Sequence, residues 1–378
     1  KDSWVGKVIL NNGTMNFTGL TSNGTLEAND GNLNVNGSVL TITTGSYIEN
    51  NVALSILVGA EVAITGNGVV NINDNDNWNG TISLENGELN YSNQTNNSVL
   101  KARSGNLNIE SGNLNIVENS FVNNDVIVSL EDGSTLTINS GEMNLNGTDS
   151  WVGKVVQNNG VLNYTELTEN GALESNAGEL NINSGKLTIE TSSYIMSTTE
   201  MNLLKVAEML IAGGEVSVNG NDNWSGKITL NSGTLNLAEL NSNGILNANA
   251  GNLNVTSGEL LISENSFVKQ TVATVISNGA TVELNGGRIE LNDNDTWTGL
   301  IEAVNGELNI SDLEFSPAQL NIADENNSNV SVSTENAVIN SVGSVGNTLT
   351  NNMNMGVLSA KANTTAKIDV ELDTTTET

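Results

Sequence analysis

The chain has no cysteine and no histidine, a single proline (Pro317) and two arginines, Arg103 and Arg288. Each shortage removes a class of chemistry. Without Cys or His there is no disulfide, no thiol nucleophile, no His- or Cys-ligated metal and no Ser-His-Asp triad. Cations are scarce as well: Lys plus Arg number 12 against 43 Asp plus Glu, a formal charge of −31. A surface of that sign repels nucleic acid and anionic membranes, so neither is expected as a partner. Aromatics make up 3% of the 378 residues. No apolar run approaches the ~18 residues that span a bilayer, so no membrane insertion by this segment is expected. Patterned sequence begins at once after Lys1. A signal peptide is therefore expected to be cleaved or to lie outside the chain.

What is plentiful is Asn, with 68 residues, and Gly, with 38. Hydrophobic residues account for 37%. That is low for a thick globular core and too high for a disordered acidic tail. A thin core filled by Leu, Ile and Val needs few rings.

The few aromatics expose a repeat. All five Trp sit in one motif, Asp-x-Trp-x-Gly: Asp2-Ser3-Trp4-Val5-Gly6, Asp76-Asn77-Trp78-Asn79-Gly80, Asp149-Ser150-Trp151-Val152-Gly153, Asp222-Asn223-Trp224-Ser225-Gly226 and Asp295-Thr296-Trp297-Thr298-Gly299. The Trp spacings are 74, 73, 73 and 73. Tyr47, Phe121, Tyr194 and Phe267 each follow a Trp by 43 residues, and Phe17, Tyr91 and Tyr164 by 13, where Leu237 and Ile310 stand in the last two copies. The extra residue of the first copy falls between Tyr47 and Trp78, in a turn. The fifth copy diverges after Ile310, around Phe315-Ser316-Pro317. The repetitive region is thus expected over 1–323, with copies starting near 2, 76, 149, 222 and 295. Residues 324–378 read as a cap or a junction.

Within each copy, units such as Gly31-Asn32-Leu33-Asn34-Val35 and Gly251-Asn252-Leu253-Asn254-Val255 alternate apolar and polar residues. Alternation over about five residues is a strand with one buried side, and the Gly-containing steps between units supply corners. Strands this short, with corners this close, fit a solenoid better than a sandwich, a string of five small β-domains or a propeller. The expected fold is all-β, a right-handed parallel β-helix of five ~73-residue repeats, with about 18–24 residues to a coil. Stacked Asn amides would then hydrogen-bond along the axis. The best helical period lies at Thr199–Ile211, although the matching block Val52-Ala53-Leu54-Ser55-Ile56-Leu57 reads as strand.

The phrases Trp224-Ser225-Gly226-Lys227-Ile228-Thr229-Leu230-Asn231-Ser232-Gly233-Thr234-Leu235-Asn236-Leu237 and Trp297-Thr298-Gly299 with Asn305-Gly306-Glu307-Leu308-Asn309-Ile310 resemble the passenger repeats of bacterial autotransporters and related filamentous adhesins. The resemblance covers roughly 1–323. It implies a secreted parallel β-helix displayed on a bacterial surface. It rests on no catalytic motif and carries over no site residue, and the family's C-terminal membrane barrel has no counterpart in this chain.

Three site readings compete with structural ones. The Trp series could stack on carbohydrate, or plug corners. Asn73-Asp74-Asn75-Asp76 and Asn292-Asp293-Asn294-Asp295 could hold Ca²⁺ through oxygen ligands, or be solvated turns. Paired carboxylates could serve a lyase or hydrolase. Acids spread evenly over the repeats do not make the local exception that an active site is, so no catalytic, cofactor-binding or metal residue is assigned and no cofactor is expected. Asn-x-Ser/Thr triplets such as Asn12-Gly13-Thr14 follow from composition. The expected function is a non-catalytic adhesin stalk or passenger, extracellular, meeting a host or cell-surface glycan or protein. A self-assembling fibre or surface-layer subunit is the alternative, and a polysaccharide lyase or hydrolase the third reading.

Overall fold

A five-residue strand with one apolar side is unstable until something covers that side and pairs its edges. In the computed structural model every strand solves both problems with a neighbour one coil away in the chain. The structure describes residues 3–311 except 21 and 95, with side chains through 309, and beyond them the strands Gln319–Ile322, Val330–Glu335, Ser341–Val342, Leu349–Thr350, Leu358–Ser359 and Ile368–Asp369. The expected divergent end, 324–378, and the sequence around Pro317 thus lie largely outside the described residues. Two compact units are present, residues 1–187 with 198–200, and residues 188–197 with 201–378.

In the first unit the chain winds as a three-sided coil with three parallel ladders. Ladder A stacks Lys7–Leu10, Thr25–Ala28, Tyr47–Ile48, Val69–Ile72, the second halves of Thr81–Tyr91 and Val99–Ile109, then Val126–Leu130 and Ser150–Trp151. Ladder B stacks Thr14–Thr18, Gly31–Asn36, Val52–Ile56 and Asn77–Trp78. It resumes with Gly112–Ile116, Ser134–Ile138, Lys154–Gln157 and Ala172–Ser175. Gln94 joins the two stretches, donating its amide to Asp76 O at 2.9 Å and accepting Asn113 N at 2.9 Å. Ladder C stacks Val39–Ile42, Glu61–Thr65, the first halves of the two long strands, Phe121–Val122, Glu142–Asn146, Val161–Thr165 and Gly178–Ile182.

Register partners lie 18 residues apart at Lys7 and Thr25 and 22 apart at Tyr47 and Val69, within the expected coil length. The equivalent step from Phe121 to Glu142 is 21, and the extra residue of the first copy sits at the corner Thr65-Gly66-Asn67-Gly68, where Gly66 has φ 60°.

The second unit repeats the plan. One ladder carries Tyr194–Ile195, the second halves of Ala207–Val218 and Lys227–Leu237, Gly251–Val255, Val272–Ile276 and Thr296–Trp297. Another carries the first halves of those two strands, Ile245–Ala248, Phe267–Val268 and the second halves of Ala280–Leu291 and Leu300–Ser311, ending on Val330–Glu335. The third carries Gly258–Ser263, the first halves of Ala280–Leu291 and Leu300–Ser311, and Gln319–Ile322. The fold is a parallel β-solenoid, as the short alternating units predict.

The stretch with helical period is strand. Thr199–Leu203 buries Thr199, Met201 and Leu203, and Ala207–Val218 buries Ala207, Met209 and Ile211. The exposed corner Leu204-Lys205-Val206 puts three residues between the buried Leu203 and Ala207, and that phase slip imitates a helical face. Inward residues fill the core: Leu26, Leu33, Ile42, Leu107, Ile182, Leu235 and many like them have no exposure at all. Burial of each such side chain stabilises by roughly 1.5–3 kcal/mol.

The 73-residue repeat is not a whole number of coils. From Trp78 to Trp151 the chain turns through eleven sides, at 81–85, 87–91, 94, 99–102, 105–109, 112–116, 121–122, 126–130, 134–138, 142–146 and 150–151. Eleven is one short of four full coils, so each copy starts one ladder back from the last. Trp78 therefore lies in ladder B and Trp151 in ladder A, while Ser3, beside Trp4, bridges Ser22 ahead of ladder C. In the second unit Trp224 pairs with Leu203 and Trp297 with Ile276, again on different ladders.

Candidate functional site

The Trp motif builds a corner that recurs in four copies, and its first member is an Asn that the aromatic columns do not reveal. At Asn73-Asp74-Asn75-Asp76, a turn closes with Asp76 N donating to Asn73 O at 3.1 Å. Asp76 Oδ2 accepts Asn73 N at 2.7 Å, and Oδ1 reaches across to the preceding coil and accepts Leu54 N at 2.7 Å. Asn73 Oδ1 accepts Asn75 N at 2.9 Å, and its amide donates to Asn50 O on the preceding coil at 2.8 Å. Two side chains thus satisfy turn amides and staple one coil to the next.

The geometry recurs copy by copy. Asp149 accepts Val128 N at 2.8 Å and Asn146 N at 2.7 Å. Asp222 accepts Met201 N and Asn219 N, both at 2.7 Å. Asp295 accepts Thr274 N at 2.6 Å and Asn292 N at 2.7 Å. Asn146, Asn219 and Asn292 donate to Asn124 O, Ser197 O and Gln270 O at 2.8, 2.7 and 2.7 Å. The motif is therefore Asn-x-x-Asp-x-Trp-x-Gly.

The Trp closes the corner from inside. Trp78, Trp151, Trp224 and Trp297 are only 3–4% exposed. Each indole N–H donates to the carbonyl of the Gly two residues on, at 2.9–3.1 Å. Trp78 meets Tyr91 edge-on at 6.5 Å and Trp151 meets Tyr164 at 6.3 Å, so two of the sequence's aromatic columns are one contact. The Gly is obligatory: a Cβ at Gly80 would lie 2.4 Å from Ala60 O. Buried rings of this kind cannot stack on a sugar.

Burial pushes Asp76, Asp149 and Asp295 up to about 6, against the pull of the two amides each accepts. Both oxygens of Asp76 and of Asp295 are committed to backbone, which leaves the Ca²⁺ reading only the flanking Asp74 and Asp293. Among the described residues no group of three or more carboxylates is placed to hold a metal.

Two further Asn roles are built in. Asn columns bond along the axis: Asn108 donates to Asn90 and Asn90 to Asn71, at 2.7 and 2.8 Å. Asn176, Asn158 and Asn139 form another chain, at 3.0 Å per step. On the shortest coils, where one side has no strand, an Asn amide replaces backbone pairing. Asn23 accepts Thr41 N at 2.8 Å and donates to Thr41 O at 2.6 Å, and Asn243 does the same with Leu261 at 2.7 and 2.8 Å. These Asn stand 5 residues before the last four Trp and 19 after the first four, but in a chain with 68 Asn those columns do not stand out.

The remaining aromatic column faces outward. Tyr47, Phe121, Tyr194 and Phe267 are half-buried on the solvent side of their strands. Arg103 lies 5.5 Å from the Phe121 ring centroid and Lys269 lies 5.2 Å from that of Phe267.

No family model matches the chain, and none of the curated proteins compared with it does. Among solved structures, a hyper-glycosylated TibA55-350 fragment, its glycosylation catalysed by TibC, is similar at 14% identity over 90% of this chain and 97% of that one, with a TM-score of 0.22. The parallel registers of the chain itself, rather than that superposition, define its fold. It has the solenoid architecture that the resemblance to autotransporter and adhesin passenger repeats implies.

Proposed function

We propose that the chain is a non-catalytic passenger segment of a secreted bacterial surface adhesin, displayed outside the cell as a scaffold. The observation that carries this reading is the repeated corner. In four successive copies the recurring carboxylate accepts two backbone amides, one from its own turn and one from the preceding coil. Such acids staple a surface together and leave substitution free at exposed corner tips, where a display protein carries its contacts. The −31 charge supports solubility outside the cell.

Beads coated with the purified chain test it, on epithelial cell layers and on immobilised fibronectin, laminin and collagen. Retention above that of uncoated beads on at least one surface is expected. Retention no better than uncoated beads on all of them would refute adhesion. New reducing ends appearing in a panel of neutral and acidic polysaccharides would refute the non-catalytic reading.

A further inference from the structure

Beside the outward aromatic of the fourth copy runs an open groove of about 550 Å³, lined by Asn265, Ser266, Phe267, Arg288 and Glu307 over Gly286, Gly287 and Gly306. Its floor is bare for a packing reason. A Cβ on Gly287 would lie 2.5 Å from Ser266 O, and one on Gly306 would lie 2.4 Å from Gly287 O. Its wall is a stacked column of outward side chains, Phe267 beside Arg288 and Arg288 beside Glu307 in successive coils. Arg288 turns one edge to Glu290, with Nε 3.2 Å from Oε1, while its two terminal amino groups have no partner among the described residues.

We propose that this groove binds a segment of neutral polysaccharide. The proposal deepens the adhesive reading by giving the scaffold a ligand class. The part of the half-buried Phe267 ring that Lys269 leaves uncovered takes the C–H face of a pyranose ring. The free guanidinium donors and the exposed Glu307 carboxylate supply donor and acceptor for sugar hydroxyls, one coil apart along the wall. Charge decides between neutral and acidic glycans. Glu283, Glu290 and Glu307, on the strands of the groove, outnumber Arg288 in its wall and Lys269 over Phe267, and the chain carries −31 overall, so a polyanion is repelled. The corresponding groove of the first copy, about 380 Å³ over Gly68, Gly87 and Gly105, has Val69 at the place of Arg288 and serves as an internal control.

Calorimetric titration of the purified chain with maltohexaose, cellohexaose and N-acetylchitohexaose tests this, with heparin as the polyanion. At least one hexasaccharide binds and heparin does not. Phe267→Ala and Arg288→Ala each weaken that binding about tenfold, and Tyr47→Ala leaves it unchanged. Circular dichroism verifies that the variants are folded, and Arg288→Ala, on an exposed side chain, decides alone if Phe267→Ala is not. No binding by any of the three, binding by heparin instead, or undiminished binding in a folded variant overturns the proposal. Because only free sugars and purified chain are used, that failure leaves adhesion of coated beads to a protein receptor standing.

Discussion

Asp149 illustrates how much one short side chain carries here. Its carboxylate satisfies Val128 N on one coil and Asn146 N on the next. Asp149→Ala strands both amides in a half-buried corner and is expected to cost about 1–3 kcal/mol, read as a lower urea midpoint at pH 7.5. The same group sets a pH dependence. Its folded value of about 6 lies above the usual 3.8 because burial disfavours the charge, so the folded state holds the proton more tightly than the unfolded one. The stabilisation from that proton is full below the unfolded value and lost as pH rises through the folded one. With Asp76 and Asp295 shifted alike, the urea midpoint is expected to be higher at pH 5 than at pH 7.5, and the difference to shrink in Asp149→Ala. A midpoint that falls on acidification would mean that the ionised form holds the latch.

At the scale of the strand and its corner, stacked glycines are constraints rather than flexible joints. Gly160 has φ 88°, and a Cβ there would meet Gly141 O at 2.5 Å, whereas Gly133, at φ 78°, has open space around it. Gly160→Ala is expected to cost about 2 kcal/mol or more, adding a clash to the left-handed strain, and Gly133→Ala only about 1–2 kcal/mol. Thermal unfolding of the two variants distinguishes close approach from backbone strain. Strand pattern, coil length and Asn columns were legible in the sequence because alternation and a 73-residue period are local signals, repeated often enough to average out exceptions. The corner staple was half legible. Asp76 and Trp78 stood out because Trp is rare, whereas Asn73 and Asn23, equally committed, were hidden by their own abundance. The run through Met201, Leu204 and Met209 misleads because three corner residues shift the phase of an alternating pattern, and only pairing with a neighbouring coil shows which periodicity governs. The groove beside Phe267 could not be read at all, since its members come from three coils.

For the whole molecule, charge and periodicity act together. Five ion pairs occur among the described residues, such as Arg103 with Glu85 at 2.7 Å, and each is half exposed and worth at most about 1 kcal/mol. Against them stands the self-repulsion of 31 net negative charges. Repulsion dominates, so raising NaCl from about 20 mM to about 0.5 M, which shortens the Debye length severalfold, is expected to raise Tm. A drop in Tm would place the ion pairs above the net charge. Excision of residues 79–151, one complete copy, joins Trp78 to Val152 in the phase of the repeat, and a folded product with an unchanged β-type circular dichroism spectrum is expected. Such an event in a genome would do more than shorten the protein. Since a copy falls one side short of four coils, unequal recombination that gains or loses one would swing every more distal epitope of the same unit through a third of a revolution, and only a change by three would bring it back to its former heading. A lineage could thereby re-aim its exposed loops towards a host or away from an antibody without altering one amino acid within them.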